Sequence, residues 1–284
     1  MNATETTPDL SPQTFSRISQ FISDELGFKM PPAKKTMLQG RLMKRMRKLK
    51  LQSYESYCNY LFSEEGRQHE MVHMLDAVTT NKTDFFREPR HFEFLTRQVL
   101  PELARSEGTG VQRRLNVWSA GCSTGAEPYT LAMVLGEFSA AYAGFDYAIL
   151  ATDISTRVLS IAREAIYTET EAKPIPLALK KKYLLRSKDR TRQLVRIGPK
   201  LRQKVSFGRL NFMDAQYGIK TAMDMIFCRN VLIYFDHPTQ QQVLSRLCRH
   251  LRPGGYLFSG HSETLNGFDL PLHQVDTTVY CRTR

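Results

Sequence analysis

Hydrophobic positions recur at two different periods along the 284-residue chain. Over the first eighty residues the period is helical. Phe15, Ile18, Ile22 and Leu26 share one face across 12–26, the spacing that lets a helix bury a single stripe. Pro31 and Pro32 end that segment and open the next, because proline has no amide to donate and fits only a helix's first turn. From 33 to 49, Leu38, Leu42, Met46 and Leu49 form an apolar stripe, while Arg41, Lys44, Arg45 and Lys48 share another face. Two shorter helices fit 54–62 and 67–78. Residues 1–80 therefore read as a small all-helical module.

The pattern then changes. A helix at about 90–104 leads into strand-like runs at 115–121, 147–153, 205–212, 223–230 and 255–260. Helical segments lie between most of them, among them 128–138 and 238–251. Strands alternating with helices imply an α/β domain, its mostly parallel sheet covered on both faces. The tail from Phe268 reads as a hairpin closing the sheet edge. The stretch at about 183–207 interrupts the alternation, and its LVRIG and KVSF pieces suggest a small antiparallel β insertion.

Composition narrows the class. Apolar residues make up 42%, enough for a substantial core. No apolar run is long enough to span a membrane. The opening MNATETTPDLSPQTF is polar and has no signal-peptide core, so the expected location is cytoplasmic. The five cysteines (Cys58, Cys122, Cys228, Cys248 and Cys281) are odd in number and form no CxxC pair. This disfavours a disulfide framework or a zinc finger and suits a reducing compartment.

Charge is concentrated in two places. Residues 29–50 hold nine lysines or arginines and no acid, and residues 173–204 hold twelve with the single acid Asp189. These stretches carry +9 and +11 of a net +12, which leaves the remainder at −8. Two basic patches on an otherwise acidic chain point to acidic partners at particular surfaces. A basic helix face is also compatible with plain solvation.

The chemistry-bearing segment is NVWSAGCSTGAEPYTLAMVL, 116–135. A strand ends in a small-residue loop, and a helix follows from about Pro128. Gly121 and Gly125 permit close backbone approach, and the helix start offers free N–H groups. The spacing is not GxGxxG, so a dinucleotide fingerprint is absent. A tight turn with no ligand is the competing reading. The next strand ends in Asp153, placed to accept ribose hydroxyls. It lies 32 residues after Gly121, longer than the roughly 20 of a dinucleotide unit. A third strand ends at Asn211-Phe212 and a fourth at Arg229-Asn230. Strand ends are where open α/β sheets take ligands. Arg252-Pro253-Gly254-Gly255 reads as a turn before the fifth strand.

With these residues in place, TTNKTDFFRE (79–88), WSAGCSTGAEPYTLAM (118–133), ATDIS (151–155), FCRNVLIYF (227–235) and FSGHSE (258–263) closely resemble the chemotaxis receptor methyltransferases (CheR). The resemblance covers nearly the whole chain. It implies a Rossmann-like methyltransferase domain with a seven-stranded, mostly parallel sheet, a helical N-terminal domain and a small β insertion. The implied boundaries are a substrate-docking domain at 1–80, a linker segment carrying a cofactor motif and a helix at 81–112, and the methyltransferase domain at 113–284. The implied reaction methylates glutamate side chains of bacterial chemoreceptors with S-adenosylmethionine. Asn81, Thr83 and Arg87 resemble contacts to the cofactor's methionine end, and Glu127 the partner of its α-amino group. Asp153 resembles the ribose acid, and Asn211, Phe212, Arg229 and Asn230 the adenine and strand-end contacts. Tyr234 matches a tyrosine facing methyl transfer, with Arg87 beside it as the second catalytic candidate. Arg41, Lys44, Arg45 and Lys48 are implied to dock the acidic receptor helices. A monomer is expected, with no nucleic-acid partner. Cys122 and Cys228 read as apolar filling, since nothing marks either as a thiolate.

Two alternatives stand beside this reading. The basic patches suggest an RNA methyltransferase, but 29–50 lacks the interleaved aromatics of a single-strand platform. A non-catalytic adaptor is disfavoured by the presence of Arg87, Asp153 and Tyr234 together. No metal is expected. His69-Glu70-Met71-Val72-His73 matches HExxH, but no glycine-marked third ligand follows, and it is read as helix surface.

Overall fold

The computed structural model of the chain describes residues 9–283; the first eight residues of the polar opening lie outside them. The chain divides into two compact units. One is Met1–Thr80 with Tyr234–Asp236; the other is Asn81–Ile233 with His237–Arg284. Among the described residues, no helix is long and apolar enough to cross a membrane.

The first unit contains α1 (Pro12–Leu26), α2 (Lys35–Leu49), α3 (Tyr54–Phe62), α4 (Glu64–His69) and α5 (Met71–Val78). Ser11 caps α1 by accepting from the Thr14 amide at 3.2 Å, and Gly27 ends it in the left-handed region. Phe15, Ile18, Ile22 and Leu26 are all buried, as their spacing requires. Leu38, Leu42 and Met46 of α2 are buried, and Leu49 is half-buried. The expected single helix at 67–78 is broken at Glu70. There the side chain turns inward and its carboxylate accepts from Arg45 Nε at 2.8 Å, Arg45 Nη2 at 2.6 Å and the Tyr57 hydroxyl at 2.9 Å. Glu70 is therefore a buried strut rather than helix surface. His69 and His73 are exposed on two different helices.

The second unit begins with α6 (Pro89–Phe94) and α7 (Leu100–Glu107), joined through a π-helical turn at Leu95–Val99. Pro101 has no amide to donate to the preceding turn, and the helix widens just before it. Phe92, Leu95, Val99, Leu100 and Leu103 lie in the same core as the sheet. The segment 81–112, expected as a linker, is thus an integral layer of this unit. The elements that follow are β1 (Leu115–Ala120), α8 (Ala126–Ala141), β2 (Tyr147–Asp153), α9 (Thr156–Glu164), β3 (Ile166–Thr168), α10 (Leu177–Tyr183), β4 (Leu184–Arg186), β5 (Leu194–Ile197), α11 (Pro199–Arg202), β6 (Val205–Arg209), β7 (Met223–Cys228), α12 (His237–His250), β8 (Leu251–Ser259), β9 (Leu272–Asp276) and β10 (Val279–Arg282).

Seven strands form one sheet in the order β6-β2-β1-β7-β8-β10-β9. The first five run parallel, and β10 is antiparallel to both neighbours. Every residue of β7 is buried, as expected of a parallel strand covered on both faces. The order reverses at β1, where chain crossovers part and a crevice opens at the strand ends. The β insertion differs from the expected 183–207. It is a separate three-stranded antiparallel sheet, β3-β5-β4, whose first strand lies back at Ile166–Thr168. The KVSF piece belongs instead to β6 of the main sheet. Three residues are too few to show alternation, which hid β3 in the sequence. The expected turn at Arg252–Gly255 lies inside β8, where Gly254 adopts φ 77° and the pairing with β7 shifts register.

Candidate active site

The loop after β1 is built by backbone geometry. The Gly121 and Cys122 amides both donate to the Thr152 carbonyl, at 2.8 and 2.9 Å, which turns the chain sharply off the strand. Gly121 and Gly125 sit at φ 84° and 92°, a region that L side chains rarely enter. A side chain at Gly121 would also meet Val231 Cγ2 at 2.5 Å, and one at Gly125 would meet Ala162 Cβ and the Tyr167 hydroxyl at 2.9 Å. At both positions the missing side chain leaves room for the protein's own side chains. Helix α8 starts at Ala126, two residues earlier than expected.

Asp153 closes this loop from the neighbouring strand. One carboxylate oxygen accepts from the Ser123 amide at 2.8 Å, the other from the Ser155 amide at 2.9 Å. The acid thus joins the end of β2 to the loop after β1. Ser123 Oγ donates to the Asn81 carbonyl at 2.7 Å, and the Phe86 amide donates to Thr130 Oγ1 of α8 at 3.1 Å. The 81–88 segment is thereby fixed alongside the same loop. Thr83 and Arg87 are half-buried in it, with Arg87 Nη1 donating to the Lys82 carbonyl at 3.2 Å.

A chain of charges runs across the sheet's edge. Glu127, in the first turn of α8, accepts from Ser119 Oγ at 2.7 Å and pairs with Arg229 at 3.3 Å. Burial pushes the Glu127 carboxyl up, while Arg229, Ser119 and Arg87 pull it back toward the ionised form. Arg229, just past β7, lies over the Phe92 ring at 5.5 Å. Its Nη2 and Nε donate to Glu88 Oε2 at 3.0 and 3.2 Å, and Nη2 also reaches the Arg87 carbonyl. Burial raises the Glu88 carboxyl too, but Arg229 outweighs this and holds it low. The Arg229 guanidinium, 2% exposed, is thus committed to protein carboxylates. It orients Glu127.

Asn230 stands in the left-handed region at φ 59°. Its amide donates to Glu263 Oε2 at 2.7 Å, as does the Gly260 amide at 2.7 Å, and the Ile233 amide reaches Oε1 at 3.3 Å. Buried Glu263 therefore folds the turn after β7 around itself. Asn211 Oδ1 accepts from the Met213 amide at 3.0 Å, and the Phe212 carbonyl accepts from Tyr217 and Arg246. These ten expected cofactor positions all fall in the second unit. Tyr234 groups with the first, where its carbonyl accepts from the Lys29 amide at 2.8 Å and its ring meets Phe28 at 5.5 Å. Burial drives the Cys122 and Cys228 thiols well above their usual range, in keeping with apolar filling.

The four expected docking residues separate. Lys44 and Lys48 are exposed. Arg45 is held by Glu70, and Arg41 caps the end of α5 through the Val78 and Thr79 carbonyls and Thr80 Oγ1. Adjacency in sequence had suggested no neutralising acid, but the acid comes from the α4–α5 junction. Glu88 and Glu263, which organise these loops, were not singled out from the sequence. Their signal was present in the RE and HSE ends of the 79–88 and 258–263 stretches.

A loop at a topological switch point, a buried carboxylate at a helix start, a nearby arginine and a strand-end aspartate suit an amino-acid zwitterion linked to a nucleoside. Comparison with known proteins agrees. Residues 81–281 match the SAM-binding domain of CheR methyltransferases, and residues 13–79 match their all-alpha domain. The chain is 36% identical over 260 residues to a chemotaxis protein methyltransferase of Borreliella burgdorferi, covering 91% of this chain and 90% of that one. It is 38% identical over 277 residues to the chemotaxis protein methyltransferase of Escherichia coli, covering 97% and 92%. It is 37% identical over 270 residues to chemotaxis protein methyltransferase 2 of Pseudomonas aeruginosa, covering 94% and 92%. The chain belongs to the CheR methyltransferase family and is an S-adenosylmethionine-dependent methyltransferase.

Proposed function

We propose that this enzyme esterifies glutamate side-chain carboxylates of bacterial chemoreceptors. The observation that carries the proposal is the Ser119–Glu127–Arg229–Glu88 chain beside Arg87. In this reading Glu127 accepts the cofactor's α-ammonium group, Arg87 holds its carboxylate, and Asp153 takes the ribose. Arg87 as a bidentate donor suits a carboxylate, and fixing the zwitterion fixes the sulfonium. Bound S-adenosylmethionine supplies an electrophilic methyl group. An ionised glutamate is already a nucleophile, so the protein's task is to align the reacting atoms and exclude water. No strong base is required, consistent with a site built from Arg, Asn, Glu and Tyr. Tyr234 acts on the reacting groups. Lys44 and Lys48 receive the acidic receptor helices, while Arg41 and Arg45 shape the helix that presents them.

The test is transfer of tritiated methyl from S-adenosylmethionine to membranes containing chemoreceptors. Carboxyl esters release the label as volatile methanol in base. Base-stable label, or label in RNA, would overturn the assignment.

A further inference from the structure

One group of buried side chains beside the site is left unbalanced by the reading above. His91, at 1% exposure, has its Nε2 2.9 Å from Thr278 Oγ1. The Thr278 hydroxyl also lies 2.8 Å from the Thr277 carbonyl, and with its proton there it accepts from His91. In the tautomer with the ring proton on Nε2, Nδ1 is the free lone pair. Among the described residues, buried Nδ1 has no hydrogen-bond partner. It faces Glu88 Oε2 at 3.5 Å, one acceptor against another. His261 Nε2 lies 4.0 Å from the same oxygen, and all three ligand atoms are within 4.8 Å of one another.

Three ligand atoms thus converge, with no proton donor placed between His91 Nδ1 and Glu88 Oε2 in that tautomer. The spacing is wider than a shared proton spans and suits a larger ion. Tetrahedral zinc with bonds of about 2.0–2.1 Å sets neighbouring ligands about 3.3–3.4 Å apart. The 3.5 Å edge already fits. The 4.0 Å edge closes by a small swing of His261, whose side chain is 50% exposed. We propose that Glu88, His91 and His261 form a binding site for a divalent transition-metal ion of the zinc class, with its fourth position open to solvent.

Two nitrogens and one carboxylate are the donors such ions select, and the Nε2–Thr278 bond is the outer contact that fixes a ligating histidine's tautomer. Arg229 shares Glu88 Oε2 but keeps Glu127 and the Arg87 carbonyl as partners. An ion on Glu88 would draw that carboxylate from Arg229, so metal and cofactor affinities should be coupled, each changing the other equally.

The experiment is titration of the full chain with Zn2+ and with Co2+ as the spectroscopic probe. Wild type should bind one equivalent at micromolar concentration, with a cobalt spectrum lacking thiolate charge-transfer bands. His261→Ala should weaken binding at least tenfold with unchanged thermal unfolding, since His261 is exposed. Thr278→Val should weaken it roughly 10–100-fold through the tautomer. The paired change His69→Ala with His73→Ala should leave it intact. No bound equivalent, thiolate bands, equal affinity in His261→Ala, or loss in the His69/His73 variant would each overturn the site.

Discussion

At the scale of single residues, the carboxylates of the site do double duty. Asp153 holds two backbone amides as well as its proposed ribose contact. Asp153→Ala should therefore weaken S-adenosylhomocysteine binding by roughly 1.5–3 kcal/mol, the range for a lost charged hydrogen bond. Calorimetry showing equal affinity would remove the residue from the site. Glu127 offers a pH signature. Its carboxyl is raised by burial, so on acidification it takes up a proton earlier than an ordinary glutamate. The protonated acid can no longer pair with an ammonium group. Cofactor affinity should accordingly decline on acidification sooner than an ordinary glutamate would impose, and Glu127→Gln should bind weakly with that acid limb flattened. An identical acid limb in the variant would assign the titration elsewhere.

At the scale of elements, α2 separates charge that docks from charge that folds. Lys44→Glu with Lys48→Glu alters exposed positions and should leave thermal stability near wild type. It should also raise the Michaelis constant for receptor severalfold, because surface cations steer an acidic partner. Raising salt from about 50 to about 300 mM should narrow the difference, as the Debye length shrinks below about 10 Å. Arg45→Glu is different in kind. It sets two acids together at a site where Glu70 is 1% exposed, and unpairing a buried charge costs about 3–5 kcal/mol. A stable Arg45→Glu protein would mean that Glu70 is not buried as described. The elements themselves were largely legible. The faces of α1 and α2, the five parallel strands and the closing hairpin follow from periodicity alone. What periodicity cannot carry is a partner distant in sequence. Glu70 looked like helix surface because a helix projection ignores the break at its own backbone. The pairing of Arg229 with Glu88, 141 residues away, is invisible from the strand end. β3 escaped because three residues have no period.

At the scale of the whole molecule, the division of the chain into two units sorts the candidate residues. Those proposed to hold the cofactor, from Asn81 to Asn230, belong to one compact unit, whereas Tyr234–Asp236 group with the helical one. Within the helical unit Phe28 is the anchor. Its ring meets Tyr234 at 5.5 Å and Phe235 at 5.8 Å, and its backbone bridges to Phe235. Cofactor binding and methyl transfer should therefore be separable by a substitution far from the loop after β1. Phe28→Ala removes both ring contacts and leaves Tyr234 free to shift. A displacement of about 1 Å at a reacting group can cost on the order of 10²-fold in rate. Turnover should drop at least tenfold while S-adenosylhomocysteine affinity stays within about threefold of wild type. Tyr234→Phe should show the same split without disturbing the backbone around it. Calorimetry on both variants, paired with single-turnover methyl transfer, reads the two quantities independently. A parallel collapse of affinity and rate would place Tyr234 among the cofactor-binding residues; loss of rate alone supports the assignment of chemistry to the residue that the helical unit holds.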